Sequence, residues 1–501
     1  MKTFSLVDVA IMEANAISSG VSIDTLMDRA GKAVAEEAAR HLPPPPAKVG
    51  IVCGGGNNGG DGLAAAFYLK SKGFSPEVWL LHPPHEIRSR PARRRWEFVS
   101  DVPGIHIHTG IPTVRALQEV TLVIDAMIGT GGHGALRDPY KGAVDAIRQS
   151  GVPVLSVDLP TGLGTDSPVP AMWTVSIEVM KEGMESGTAG EVTVRSIGFP
   201  PEALEETGVG EFLLFPRPGR GTVKGESGRL VIVGGGPYTG APALAALSAL
   251  SSGCDMVFVI APEPAATVIR GYSPNLIVRS VGEDGAFTQY DADELEAVVS
   301  ELHPSAVLIG NGAGHSHGTI NALDQLARHA VEHAPVVLDA DATRLAAEKE
   351  VRPLYGKFTD RLLLTPNRRE LYRILGHELA GPQAQQQDEL ARLSRALGAT
   401  LLVKGEVDLV TDGTDSRENR THHPSMVVGG AGDVLSGLAA SLMARGLTAL
   451  QAGRLASYWL GLVSLDLFDK MSYGVTATDL IHGLPASLDL GLKRVREQGG
   501  P

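Results

Sequence analysis

Sulfur is scarce in this sequence: among 501 residues there are two cysteines, Cys53 and Cys254. A pair so far apart makes neither a zinc spacing nor a disulfide framework, which points to a reducing compartment. Positive charge is also in short supply. Lys and Arg total 44 against 57 Asp and Glu, for a formal net charge of −13. The one basic run, "RSRPARRRW" at 88–96, reads as a solvated helix face, so nucleic-acid binding by bulk charge is excluded. Long apolar stretches are missing too. No run of about 20 uncharged apolar residues occurs, and Ala241–Pro262 is broken by Asp255, so no membrane partner is expected. The opening "MKTFSLVDVAIMEANAISSG" carries Asp8, Glu13 and Asn15 where a signal peptide needs an unbroken apolar region. A cytoplasmic protein acting on small molecules is the expectation.

Glycine, by contrast, is abundant at 60 residues, and it clusters directly after apolar runs, where βα loops belong. A chain of this length should hold two or more domains, because single cores stop growing at roughly 250–300 residues. In the first half, "SIDTLMDRAGKAVAEEAARHL" places Ile23, Leu26, Met27, Ala30, Val34 and Ala38 on one helical face. Strand candidates follow in "KVGIVCG", "PEVWLLH", "TLVIDAMIG", "VPVLSVDLP" and "EVTVRSIG". The second half restarts at "GRLVIVGGG" and continues with "DMVFVIAP", "AVLIGNG", "PVVLDAD", "RLLLTPN" and "TLLVKGEVDLVTD". Strands alternating with helices predict parallel sheets covered on both faces. Around "FPRPGRGTVKGESG" the pattern breaks into Pro, Gly and charge. We therefore expect two α/β domains, 1–215 and 226–495, joined by a linker at 216–225.

The segment Cys53–Gly62, "CGGGNNGGDG", spells G-x-G-x-x-G with Gly54, Gly56 and Gly59. A dinucleotide-binding oxidoreductase also needs a carboxylate at the end of the next strand to hold the ribose. "PEVWLLHPP" has Glu77 at its start and His82 at its end, so the carboxylate is at the wrong end. Asn57, Asn58 and Asp61 are further groups that a pyrophosphate turn does not need. Two more strand ends carry polar groups, Asp125 in "DAMIGTGG" and Asp158 with Thr161 in "DLPTG". Carboxyl ends of strands in a doubly wound sheet line one crevice, so these oxygens converge over one pocket. Oxygen-only ligands suit a hard cation, and glycine amides suit phosphates.

"NNGGDG", "DAMIGTGGHG", "VDLPTG" and "EANAISSGVSIDTLMDRAGKAVAEEAA" together resemble the NAD(P)H-hydrate epimerase domain, over about residues 1–215. The resemblance implies a Rossmann-like three-layer sandwich that binds the damaged cofactor as substrate beside a potassium ion. Carried over position by position, it implies potassium ligands at Asn58, Asp125 and Thr161. It implies substrate contacts along Asn57, Asn58, Gly59, Gly60 and Asp61, along Gly129, Thr130, Gly131, Gly132, His133, Gly134 and Ala135, and at Asp158. Lys181 aligns with the lysine of a K-x-G segment and becomes the proton-transfer partner of Asp158. Thr161 replaces a commoner serine and keeps the hydroxyl. Gly164 stands where an aspartate is frequent.

In the second half, "GGAGDVLSGLAASLMARG" at 429–446 brings a glycine loop into an amphipathic helix with Asp433 in the first turn. An acidic residue at a helix start is worth roughly 0.3–1 kcal/mol through the dipole, which explains Asp433 but not the glycines before it. Such a loop can hold a phosphate at the helix N-terminus while the aspartate takes a proton from an attacking hydroxyl. The arrangement resembles the ribokinase-like superfamily. With "VKGESGRLVIVGGGPYTGAPALAALSALSSG", "IGNGAG", "LTPNRRE" and "LLVKGEVDLVTD", residues 222–495 resemble the nicotinamide-nucleotide-hydrate dehydratase domain. The resemblance implies substrate contacts at Ala241, Gly314, Asn367 and Asp433. It implies adenine-nucleotide contacts along Lys404, Gly405, Glu406, Val407 and Asp408 and at Gly432. Ala431 and Asn367 depart from the commoner threonine and histidine. His422 and His423 read as loop residues, and Trp173 and Trp459 as packing.

Combined, the two resemblances imply a bifunctional enzyme, an isomerase and a lyase. It would epimerise R- and S-NAD(P)H hydrate and dehydrate the S form with ADP as co-substrate, ATP being the other option. Potassium would serve the first half, and Mg²⁺ would accompany the nucleotide. The rival readings are a ribokinase-like vitamin-precursor kinase, an NAD-dependent oxidoreductase and a non-catalytic binder. A homo-oligomer is left open, since no seam is visible.

Overall fold

The computed structural model describes residues 2–131, 134–347 and 358–497. The chain forms two compact units that divide between Leu204 and Glu205. No helix among the described residues is long and apolar enough to cross a membrane.

The first unit is built on a seven-stranded, all-parallel sheet. Its spatial order is His106–Thr109, Ser75–Leu80, Lys48–Cys53, Leu122–Ala126, Val154–Val157, Trp173–Ile177 and Glu191–Arg195. Side chains alternate across a strand, and the alternation sorts them into two cores. Val49, Ile51, Val78, Ile124 and Leu155 pack against helices Ile23–Arg40 and Asn57–Ser71. Val52, Trp79, Val123 and Val154 pack on the opposite face with Ala143, Val144 and Ile147 of helix Tyr140–Ser150. Helices on both faces make the three-layer sandwich expected. The chain leaves Lys48–Cys53 toward one sheet edge and returns to Leu122–Ala126 on the other side. The loops after Cys53 and Ala126 therefore meet at the switch point where such sheets bind ligands.

The second unit has a nine-stranded sheet. Ile277–Ser280, Met256–Ala261, Arg229–Val233, Ala306–Ile309, Val336–Leu338, Leu362–Leu364 and Thr400–Val403 are parallel; Asp408–Thr411 and Ser416–Asn419 add an antiparallel end. "TLLVKGEVDLVTD", expected as one strand, is a hairpin: the turn at 404–407 reverses the chain. Helices Gly240–Ser251 and Ala431–Ala444 pack on one another and on the central strands. Trp459 is fully buried, as expected of a packing residue.

The boundary falls earlier than the 215 expected. Residues 205–215 pack with the second unit, because Glu211 pairs with the buried Arg454 and Phe212 packs its ring against Gly491. No periodic pattern in that short segment announces a partner 243 residues away.

Candidate active sites

The first site gathers at the switch point. Gly54 is pressed against Met127, so that a Cβ there would come within 2.0 Å of the Met127 carbonyl oxygen, and one on Gly59 within 1.9 Å of the Gly54 oxygen. Gly54 and Gly59 are thus demanded by backbone against backbone, independent of any dinucleotide, whereas Gly56 has open space around it. Helix Asn57–Ser71 starts inside this loop, with Asn57, Asn58, Gly59 and Gly60 in its first turn. Asn58 is buried, and neither its Oδ1 nor its Nδ2 has a hydrogen-bond partner. Its side chain lies against Gly129. The same loop donates from Met127 N to Asp125 (3.3 Å) and from Ile128 N to Thr161 Oγ1 (3.1 Å). Asp125 is fully buried and also accepts from Thr161 N (2.8 Å), Thr161 Oγ1 (2.7 Å) and Ser156 Oγ (3.0 Å). Burial pushes its carboxyl up, and these donors oppose the shift.

Asp158 follows strand Val154–Val157 in a left-handed conformation at φ 67°, a strained placement for a residue with a Cβ and one that clusters at functional sites. Its Oδ1 accepts from Ile177 N (3.2 Å) and from the Lys181 ammonium. Lys181 is fully buried and also donates to Ile177 O (2.6 Å) and Ser176 Oγ (3.2 Å). The segment Met180–Lys181 is anchored by parallel pairing with Thr3–Phe4, directly before helix Leu6–Ser18. That helix brings Glu13 to the cluster. Burial, then the Asp158 charge, raises the Glu13 carboxyl to about 6, with Lys181 opposing. Asp61 is held well above the usual carboxylate range by burial, Asp158 and Glu13, against Arg95 and Lys181. Three carboxyls therefore share one buried ammonium.

The second site surrounds the start of helix Ala431–Ala444, whose N-cap Gly430 has φ 92°. Asp433 accepts from Asn311 Nδ2 (2.7 Å). Burial and the Asp339 charge raise its carboxyl to about 6, while the Asn311 hydrogen bond and Lys404 work the other way. Lys404 donates to Asp339 Oδ1 (2.8 Å), and Thr365 Oγ1 donates to the same oxygen (2.7 Å). Burial works against the Lys404 charge, but Asp339 and Glu370 outweigh it and hold the ammonium above its ordinary value. A Cβ on Gly432 would lie 3.4 Å from Lys404 Nζ, so the ammonium stands beside the free amides of the helix start. Helix N-termini with an adjacent cation bind phosphates.

Two family models match the chain. One, described as NAD(P)H-hydrate dehydratase, covers residues 230–486; the other, described as YjeF-related protein N-terminus, covers 23–183. The bifunctional NAD(P)H-hydrate repair enzyme of Methanothermobacter thermautotrophicus is 36% identical over 97% of this chain and 95% of its own. This chain belongs to the NAD(P)H-hydrate repair enzyme family. The Hyperthermus butylicus member is 37% identical, covering 97% of this chain and 92% of its own. Among solved structures, an ADP/ATP-dependent NAD(P)H-hydrate dehydratase from Bacillus subtilis, co-crystallised with ATP/Mg²⁺, is 22% identical. It covers 56% of this chain and 96% of that one, with a TM-score of 0.47.

Of the residues the repair-enzyme resemblance pointed to, the fold brings Asp158 and Lys181 into contact and joins Asp125 to Thr161 beside the loop at 127–129 that lies against Asn58. Thr130, Gly131, Gly134 and Ala135 continue that loop outward. Gly132 and His133 lie outside the described residues. In the second unit Gly432, Asp433 and Lys404 converge. Ala241 meets the loop at Gly312, and Gly314 N donates to Asp341 (2.9 Å). Asn367 spends its side-chain oxygen on capping helix Arg368–Leu375, accepting from Arg369 N and Glu370 N. Its backbone pairs with Lys404. Lys404, Glu406 and Val407 line a cavity of about 300 Å³, and Asp408 closes their turn by accepting from Gly405 N (3.0 Å). Sequence reasoning missed Glu13, Asn311, Asp339 and Glu370. Two of them had a signal: Glu13 lies one turn from Val9 and from Ile17 on a half-apolar helix, and Asp339 follows an apolar strand in "VVLDAD".

Proposed function

We propose that this chain repairs hydrated nicotinamide dinucleotides in two steps, one in each unit. The first unit interconverts the R and S epimers of NADHX or NADPHX, an isomerase step. The second dehydrates the S epimer to NADH or NADPH, a lyase step that converts ADP to AMP and phosphate. The observation that carries this reading is that each family match falls on a unit with a complete buried polar site of its own.

In the first unit, Asp158 and Lys181 are the acid–base pair that opens and recloses the hydrated carbon. Lys181 is held by three acceptors, so it stays aligned while Asp158 takes and returns a proton. The first turn of helix Asn57–Ser71 and the loop from Gly129 hold the pyrophosphate by backbone amides. The donor set fits a potassium ion: Asn58 Oδ1 is buried and unpartnered against Gly129, and Asp125 and Thr161, bonded to the amides of Met127 and Ile128 in the same loop, add hard oxygens. The bound ion would supply positive charge to substrate oxygens.

In the second unit, hydroxide is a poor leaving group, and Asp433 removes the proton of the substrate hydroxyl as its oxygen bonds the β-phosphorus of ADP. The bridging P–O bond breaks and AMP departs. Loss of phosphate and a ring proton then restores the double bond. Lys404 and the amides around Gly432 stabilise the transferring group, since phosphoryl transfer rests on positioning and charge. The nucleotide lies along Lys404–Asp408, and bound Mg²⁺ would supply charge neutralisation to its phosphates beside Lys404. A vitamin-precursor kinase would leave the matched first unit without a purpose.

The test is incubation with chemically hydrated NADH, a mixture of R and S forms, with and without ADP. Full recovery of NADH absorbance with ADP, faster than spontaneous epimerisation allows, is the expected result. Phosphorylated substrate without NADH would overturn the reading in favour of a kinase.

A further inference from the structure

Asn311 stands at the centre of the second site with no role in the chemistry described so far. It follows strand Ala306–Ile309 and is fully buried. Its loop is clasped from both sides: a Cβ on Gly234 would come within 2.3 Å of the Asn311 carbonyl oxygen, and one on Gly310 within 2.2 Å of the Asp339 oxygen. Gly235 N donates to that Asn311 carbonyl (2.8 Å). The backbone therefore cannot shift, and the side chain is delivered to one place.

There, Nδ2 meets three acceptors: Asp433 Oδ1 at 2.7 Å, Asp339 Oδ2 at 3.1 Å and Ser436 Oγ at 3.2 Å. An amide nitrogen carries two hydrogens, and the two carboxylates, being charged, take the stronger bonds. They also settle which way the amide faces, because its oxygen turned toward two carboxylates would be repelled. Asp339 in turn holds Lys404 through its other oxygen. A continuous chain thus runs from the ammonium through Asp339 and Asn311 to Asp433.

We infer that Asn311 is a positioning residue for dehydration: by sharing its amide between Asp433 and Asp339, it keeps the Asp433 carboxylate ionised and aimed at the substrate hydroxyl. This rests on the reading of Asp433 as general base. The charged groups facing Asp433 are Asp339, Glu370 and Lys404. Two of the three are acidic, so the carboxylate depends on the neutral donor to remain charged near neutral pH. A bond from a neutral donor to a charged acceptor is worth roughly a 10- to 100-fold change in the equilibrium that it controls.

The test uses the full chain with Asn311→Leu, of similar shape without a donor, and Asn311→Ala, which cannot overpack. Dehydration of S-NADHX is followed against pH, with ADP varied, and epimerisation is measured on the same samples. The expected result is a 10- to 100-fold fall in dehydration kcat at pH 7, from lost ionisation and lost aim together, with the acid limb of the profile moved up by about one to two pH units. KM for ADP should change less than about threefold, and epimerisation should be unaffected. An unmoved acid limb in both variants, or a loss confined to KM for ADP, overturns the proposal. Asp433→Asn is run in parallel: if it keeps dehydrating, the general-base reading itself fails, and the role of Asn311 with it.

Discussion

The early boundary at Leu204 makes a quantitative prediction about Glu211. Glu211 and Arg454 are 0% and 1% exposed at the side chain and meet at 3.0 Å. Replacing Glu211 by Ala leaves a guanidinium buried without its carboxylate, a change that costs about 3–5 kcal/mol. Unfolding entropy is roughly 2.1 cal/mol/K per residue, and the second unit spans about 290 residues. The melting temperature of that unit should therefore drop by about 5–8 °C. The assay is thermal inactivation of ADP-dependent dehydration, read beside epimerisation as an internal control from the same molecule. Glu211→Leu combined with Arg454→Met should recover most of the loss, because replacing both members of a buried pair with apolar groups is close to neutral. A shift under about 2 °C for Glu211→Ala, or a double variant no better than the single, would refute the reasoning. So would a chain starting at 216 that is as stable as one starting at 205.

Asp433→Asn should lower dehydration about 10²–10⁴-fold while epimerisation survives, checked by the NADH-recovery assay with each epimer. In the wild-type chain the Asp433 carboxyl sits at about 6, and it must be ionised to accept a proton. Dehydration kcat should then fall about tenfold per pH unit below that value, read from initial rates between pH 4.5 and 8. Glu13 is raised from 4.5 to about 6 in the fold. A carboxyl that binds its proton more tightly when folded opposes folding above its folded pKa and ceases to do so below its unfolded one. Glu13→Gln should therefore stabilise the first unit by up to about 2 kcal/mol at pH 8 and not at all below pH 4, checked by urea unfolding at both pH values. Exchanging potassium for tetramethylammonium should slow epimerisation and leave the first unit folded, and Asn58→Ala should blunt that dependence; equal rates in both salts would remove the ion from the site.

Much of both sites was legible because their residues sit at strand ends and helix starts, which local patterns mark. Gly54, Gly59, Asp125 and Asp158 follow or end apolar strands that parallel order brings to one edge of the first unit's sheet, and Gly432 and Asp433 open helix Ala431–Ala444 of the second unit. The α/β class, the two-unit organisation and the identity of the motif loops were therefore settled by residue type and spacing. Tertiary structure alone decided which of those loops touch. Glu13 joins Asp158 only because Thr3–Phe4 pairs with Met180–Lys181. Asn311 reaches Asp433 only because strands 229–233, 306–309 and 336–338 lie side by side beneath helix 431–444. Residues 205–215 were assigned to the wrong side for the same reason: a buried ion pair spanning 243 positions leaves no period in the sequence. Hydrophobic alternation reports the environment of each residue along the chain, whereas the sharing of a proton or a charge depends on distances that only packing sets.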